Sequence, residues 1–177
     1  EQLNKGKIKP GDSFVLNAPF NGGTHLPDVT VITPVFSMDS NEILFFVGSR
    51  GHHADIGGRT PGSAPPDSKT IDEEGVVIDN FKIVSKGIFR LQETRDLLTT
   101  GKFPCRNVDQ NIKDLEAQIA ANETGIKIGA YGKEKEDQKK VTQGTQIVSD
   151  VGSDWTGSKA HACGECAYFE RQIQAVG

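Results

Sequence analysis

Hydrophobic and polar positions are most regularly ordered between residues 12 and 47. DSFVLNAPF, residues 12 to 20, reads as a strand that stops at Pro19, and Asn21-Gly22-Gly23 then turns the chain, because glycine accepts a positive φ without steric cost. From Val29 to Phe36, Val29, Val31, Thr33 and Val35 fall on one face and Thr30, Ile32 and Phe36 on the other, the period of a strand. Met38-Asp39-Ser40-Asn41 is a turn signal, and Glu42 to Val47 is a short apolar strand. Two strands joined by a short polar turn predict an antiparallel hairpin. Centring its turn between Asp39 and Ser40 sets Asp28 opposite Gly51 and Pro27 opposite His52. A slip of a residue or two leaves His25, Asp28, His52, His53 and Asp55 gathered at the same hairpin end.

The pattern then breaks. Ile56 to Lys69 is too rich in glycine and proline for helix or strand. Residues 76 to 89 read as one or two strands interrupted near Asp79-Asn80, and Leu91 to Thr99 as a short helix. The clearest helix runs from Asp109 to about Ile128, with Ile112, Leu115, Ile119 and Ile126 on one face and Asn107 or Asp109 as its cap. KEKEDQKK, residues 133 to 140, is nearly all charge, and no apolar period follows it. The expected architecture is α/β: a mixed, hairpin-rich sheet with a loop-built site and a C-terminal helix. It is a partial domain over residues 1–132, followed by a solvated or disordered tail over 133–177.

A chain of 177 residues suffices for one core. Its net charge of −4, with no basic stripe, argues against nucleic acid as a partner. No apolar run is long enough for a bilayer, and no signal peptide is visible at the start. The first residue is Glu1 rather than Met, as expected of a piece of a longer chain. Three cysteines, Cys105, Cys163 and Cys166, are too few and odd in number for a secreted disulfide scaffold, so a cytoplasmic setting is expected.

The chemistry concentrates at the hairpin end. His25 and Asp28, with His52 or His53, offer two nitrogens and one oxygen, a set suited to divalent zinc, manganese, iron or nickel. Three protein donors leave positions open for water or substrate, as a catalytic site requires. Asp55 is a candidate further ligand, histidine-orienting group or proton carrier, and Arg50 and Arg59 are candidates to hold a substrate carboxylate. Neither glycine-rich stretch has phosphate-loop spacing. His161-Ala-Cys163-Gly-Glu-Cys166 looks like half a zinc site or a redox pair, but no second pair of ligands accompanies it, and Cys105 reads as inert.

Residues 17 to 36, 48 to 63 (GSRGHHADIGGRTPGS), 73 to 78 (EEGVVI) and 106 to 122 (RNVDQNIKDLEAQIAAN) together resemble the hydantoinase B/oxoprolinase family, in its eukaryotic-type 5-oxoprolinase branch. The likeness is ordered from about residue 10 to about 130. Asn17-Ala18-Pro19 separates it from the bacterial hydantoinase and carboxylase branches, which more often carry aspartate before that proline. The resemblance implies ATP-dependent hydrolysis of 5-oxo-L-proline to L-glutamate, a step of glutathione turnover. It implies ATP and magnesium held by an A-type, actin-like region absent from this chain, and a homo-oligomeric full-length enzyme. It also implies a divalent metal on His25, Asp28 and one or both of His52 and His53, with Asp55 assisting proton transfer. A hydantoinase or ketone carboxylase subunit, or a catalytically dead truncated remnant, are the alternatives. The tail after about Gly132 does not resemble the family and reads as an altered frame, a mis-spliced end or a truncated product.

Overall fold

Ser13-Phe14-Val15-Leu16 forms strand β1 (Ser13–Leu16), buried at every position. It is central because β2 (Asp28–Phe36) pairs with one side and β4 (Phe81–Ser85) with the other. Outside these lie β3 (Ile43–His52) and β5 (Ile88–Phe89), giving the order β3-β2-β1-β4-β5, antiparallel throughout. Two helices follow, α1 (Leu91–Thr99) and α2 (Val108–Lys135). This computed structural model describes residues 8–37 and 42–135, with side chains placed as far as residue 127. The turn signal at Met38 to Asn41, and the tail with His161, Cys163 and Cys166, lie outside the described residues. No helix among the described residues is long and apolar enough to cross a membrane.

Side-chain alternation divides the core between the sheet's two faces. Val15, Val29 and Val31 pack with Ile83, Leu98, Ile112 and Leu115 on the helix side. Phe14, Leu16 and Ile32 form a smaller cluster on the other, joined by Ile8 and Phe46. Asn107 caps α2, its Oδ1 accepting the Gln110 N–H at 3.2 Å, as a helix start requires.

Three elements depart from the sequence expectation. β1 ends at Leu16 rather than Phe20 because the N–H groups of Asn17 and Ala18 leave the ladder and both donate to Ile78 O, at 2.9 and 3.1 Å. A 3-10 turn at Pro19–Asn21 follows. Residues 76 to 78 are not a strand, since the buried Asn17 amide replaces a ladder for them. It donates to Val76 O and Leu26 O and accepts from the Ile78 N–H. β3 continues past Val47 to His52 despite Gly48 and Gly51, because β2 offers backbone partners along that whole length.

The β2–β3 register carries the site. Phe36 pairs with Ile43, the register expected from the turn, but Val35 pairs with Phe45. One residue of β3, Leu44, is bulged out between them. From there to the end the register is displaced by one, so that Asp28 faces His52 and Val29 faces Gly51.

Candidate metal centre

The loop before β2 is pinned by Leu26, which is buried, while His25 beside it stays half-exposed. The Leu26 carbonyl accepts from the Asn17 amide, and the Asp28 N–H closes a turn onto His25 O at 3.0 Å. This turn brings the His25 ring back over the first residue of β2. The Asp28–His52 pair, last of the ladder, supplies the other two groups.

The Asp28 carboxylate lies between two imidazoles. Its Oδ1 is 2.9 Å from His52 Nδ1 and its Oδ2 is 3.1 Å from His25 Nδ1. The Thr24 hydroxyl donates to Oδ2 at 3.1 Å, and the two rings tilt at 33° with centroids 5.3 Å apart. Burial pushes the Asp28 carboxyl up, but the His52 hydrogen bond, His25, the Thr24 hydroxyl and the His52 charge together outweigh it and hold it below the ordinary carboxylate range. One donor atom from each of His25, Asp28 and His52 lies within 4.8 Å of the others. Two donors sharing an ion at about 2.1 Å are separated by at most about 4.2 Å. Small movements of exposed side chains therefore close the set around a metal, and the imidazole–carboxylate chemistry fits a divalent transition ion.

His53 does not join this set. Successive strand residues point to opposite faces, so His53 turns toward α2, where it is buried. Its Nε2 is 3.1 Å from Gln118 Oε1 and its Nδ1 is 3.1 Å from Asn111 Nδ2. Burial pushes its pKa below the ordinary histidine value, keeping the ring neutral. Asp55 is not among the converging donors either. Its carboxylate accepts the Gly57 and Gly62 N–H groups at 2.9 and 3.1 Å and pairs with Arg106 at 2.6 Å. Burial raises its pKa, but those backbone bonds and the Arg106 charge prevail and keep it ionised. It fastens the glycine loop to the approach of α2, since Arg106 also donates to Gly57 O and Gly58 O.

The two arginines part company. Arg50 sits opposite Thr30 and donates from Nε to its hydroxyl at 2.9 Å. Being two residues from His52, it shares the donor face of the sheet, about 7 Å along the strand. Arg59 instead pairs with Asp67 in the exposed loop. A cleft of about 460 Å³, lined by Thr70, Asp72, Glu73, Leu97 and Lys102 among others, contains none of the three donors.

Sequence reading missed Asn111, Gln118 and Asn122, all buried on α2. At 100° per residue they fall on one side of the arc whose other side is Leu115, Ile126, Ile119 and Ile112, about 120° in all. That spacing was the available signal. Inertness of Cys105 was expected, and the thiol is buried and its pKa pushed up to about 12, chiefly by burial. Alkylation in native buffer followed by peptide mapping is expected to leave Cys105 unlabelled until the chain unfolds.

Comparison with known proteins follows the same residues. The Hydantoinase B/oxoprolinase family model matches residues 1–156, past the boundary near residue 132 drawn from composition. The 5-oxoprolinase 1 of Arabidopsis thaliana is 52% identical over 129 residues, covering 68% of this chain and 10% of the relative. The 5-oxoprolinase of Saccharomyces cerevisiae is 50% identical over 140 residues, covering 75% of this chain and 11% of the relative. Among solved structures, the ATP-dependent caprolactamase from Pseudomonas jessenii aligns with a TM-score of 0.58 at 33% identity, over 67% of this chain and 20% of its own. The chain thus spans about a tenth of the length of these curated relatives.

Proposed function

The chain belongs to the hydantoinase B/oxoprolinase family, and on that premise we propose that it forms part of the B-type region of an ATP-dependent cyclic-amide hydrolase. The substrate of this reading is 5-oxo-L-proline and the product L-glutamate. Identities of 52% and 50% to two 5-oxoprolinases, against 33% to the caprolactamase, support that choice. ATP and its magnesium belong to an A-type region outside this chain, and the reducing cytoplasm is its compartment.

One observation carries the reading: His25, Asp28 and His52 converge from a loop and two strands at the open end of one hairpin. These three residues would hold a divalent metal, zinc, manganese or iron. When bound, such an ion supplies Lewis acidity to a carbonyl or acidifies a water. The protein's own part is positional. Asp28 orients both imidazoles, and Thr24 restrains Asp28. Arg50, on the same face, pairs with the carboxylate of 5-oxo-L-proline through its planar guanidinium. A lactam without a carboxylate would gain nothing from Arg50. Asp55 and Arg59 have no substrate role in this reading: Asp55 fastens the glycine loop to Arg106, and Arg59 pairs with Asp67 in that exposed loop rather than lying on the donor face.

The test is metal content by inductively coupled plasma mass spectrometry on the purified chain and its His25→Ala form. Near-stoichiometric metal lost in the variant is expected, followed by 5-oxo-L-proline turnover when an A-type partner and ATP are supplied. Metal-free wild-type chain would remove the metal from the proposal. Turnover of hydantoins but not of 5-oxo-L-proline would move the substrate.

A further inference from the structure

The three donors depend on a strand register that the hairpin does not impose. β3 has only β2 as a strand partner among the described residues, and it carries Gly48 and Gly51, which restrain an edge weakly. Two registers coexist in the hairpin, one at the turn and one, displaced by the Leu44 bulge, at the site. Were the turn register to continue, Gly51 would face Asp28. His52 would then point to the helix side, because a one-residue slip turns every side chain over.

A buried polar network stands at that decision point. Gln118 of α2 donates from Nε2 to Val29 O at 2.9 Å and to Ser49 O at 3.2 Å, bridging the backbones of β2 and β3. The Ser49 hydroxyl returns a bond to Gln118 O at 3.1 Å. With both amide hydrogens spent on carbonyls, Gln118 Oε1 must accept, so His53 carries its proton on Nε2. His53 Nδ1 then accepts from Asn111 Nδ2, which also donates to Asp55 O at 2.8 Å. The His53 N–H donates to Pro27 O at 2.8 Å, tying the end of β3 to the start of β2. Gly51 makes the fit selective: a Cβ there would stand 3.2 Å from the Gln118 side chain. In the slipped register Arg50 would stand opposite Val29, and its long side chain would meet Gln118 where Gly51 now leaves room.

We propose that Gln118 and Asn111, acting through His53, lock the register that sets His52 against Asp28. They are positioning residues for the metal centre, and the inference rests on reading His25, Asp28 and His52 as its donors. Asn122 provides the comparison. It makes the same kind of bond to the sheet, to Val31 O at 3.0 Å and Thr33 Oγ1 at 3.1 Å, but one turn of α2 farther from the site. A merely structural role would make the two amides equivalent.

The experiment uses the whole 177-residue chain with Co²⁺ and Zn²⁺ as probes. Gln118→Met is expected to weaken both ions by about 10–100-fold, the range for outer-shell partners, and to change the Co²⁺ visible spectrum. Asn122→Leu is expected to lower the melting temperature comparably while leaving both affinities within about twofold, well short of the outer-shell range. Nuclear Overhauser contacts between the backbones of residues 28 and 52 report the register without any metal. They are expected in the wild type and in N122L, and lost in Q118M. Should Q118M fail to fold, His53→Gln and His53→Leu carry the same test. The glutamine still offers Asn111 an acceptor and Gln118 a donor and is expected to keep the register, which the leucine loses. Equal loss of affinity in Q118M and N122L, or an intact 28–52 pairing in both Q118M and H53L, would overturn the lock. A wild-type chain that binds neither ion but keeps the 28–52 pairing, lost in Q118M, would overturn the metal reading and leave the lock standing.

Discussion

Asp28→Ala is expected to lower the affinity of the chain for Zn²⁺ and Co²⁺ by more than about 100-fold, exceeding the loss from any outer-shell partner. Asp28 is the one carboxylate of the cluster and touches both imidazoles. Without it only the two imidazole donors remain, and the hydrogen bonds that orient both rings toward one point are gone. Asp28→Asn is expected to behave like the alanine variant, because it keeps the shape and removes the charge. The check is thermal unfolding with and without metal. Wild-type chain gains about 2.7 kcal/mol at a metal concentration 100-fold above its Kd, and the variants gain nothing measurable. In metal-free buffer all three melt close together, since the two imidazoles are more than half exposed and such pairs contribute only about 0–1 kcal/mol. A metal-induced shift that survives in Asp28→Ala would place the donors elsewhere.

Asp12→Ala is expected to cost about 1–3 kcal/mol of folding stability, the penalty for leaving buried hydrogen-bonding groups unsatisfied, since the Lys82 ammonium left behind is part-exposed and rehydrates. Asp12 is 1% exposed and fastens three segments. Oδ2 accepts the Lys9 N–H at 3.0 Å and the Lys82 ammonium at 2.6 Å, and Oδ1 accepts the Lys86 N–H at 3.0 Å. Burial alone raises its pKa, but the Lys82 bond, the two backbone N–H groups and the Lys82 charge reverse this and hold it below its ordinary value. A depressed folded pKa adds stability that is complete above the unfolded value, about 4. That stability is lost as pH falls through the folded value. Urea titrations from pH 7 down to pH 2 should therefore show wild type and Asp12→Ala converging only below about pH 4. A constant gap across that range would assign the loss to packing rather than to charge.

Much of the fold was legible in one dimension because it rests on local rules. α1 occupies Leu91–Thr99 as its pattern predicts, and Asn107 caps α2 as one of the two expected residues. β2 starts one residue before the expected Val29 and ends at Phe36 as read. The convergence of His25, Asp28 and His52 was likewise accessible, since an antiparallel hairpin brings the ends of its two strands together whatever the turn. Each of these follows from side-chain period, turn chemistry or capping within a few residues.

The rest was settled by contacts between distant parts of the chain. That His52 rather than His53 faces Asp28 turned on the Leu44 bulge, a one-residue shift that no period reveals. Asn17 ends β1 through residues 59 and 61 positions away. Gln118 and Asn122 reach backbone groups 89 and 91 positions away. Asp55, a catalytic candidate by its neighbours in sequence, is claimed by Arg106 from 51 positions away. A polar side chain makes no statement in sequence about which partner it will find. In the folded chain a buried donor or acceptor left unmatched is costly, and long-range matching assigned these residues their roles.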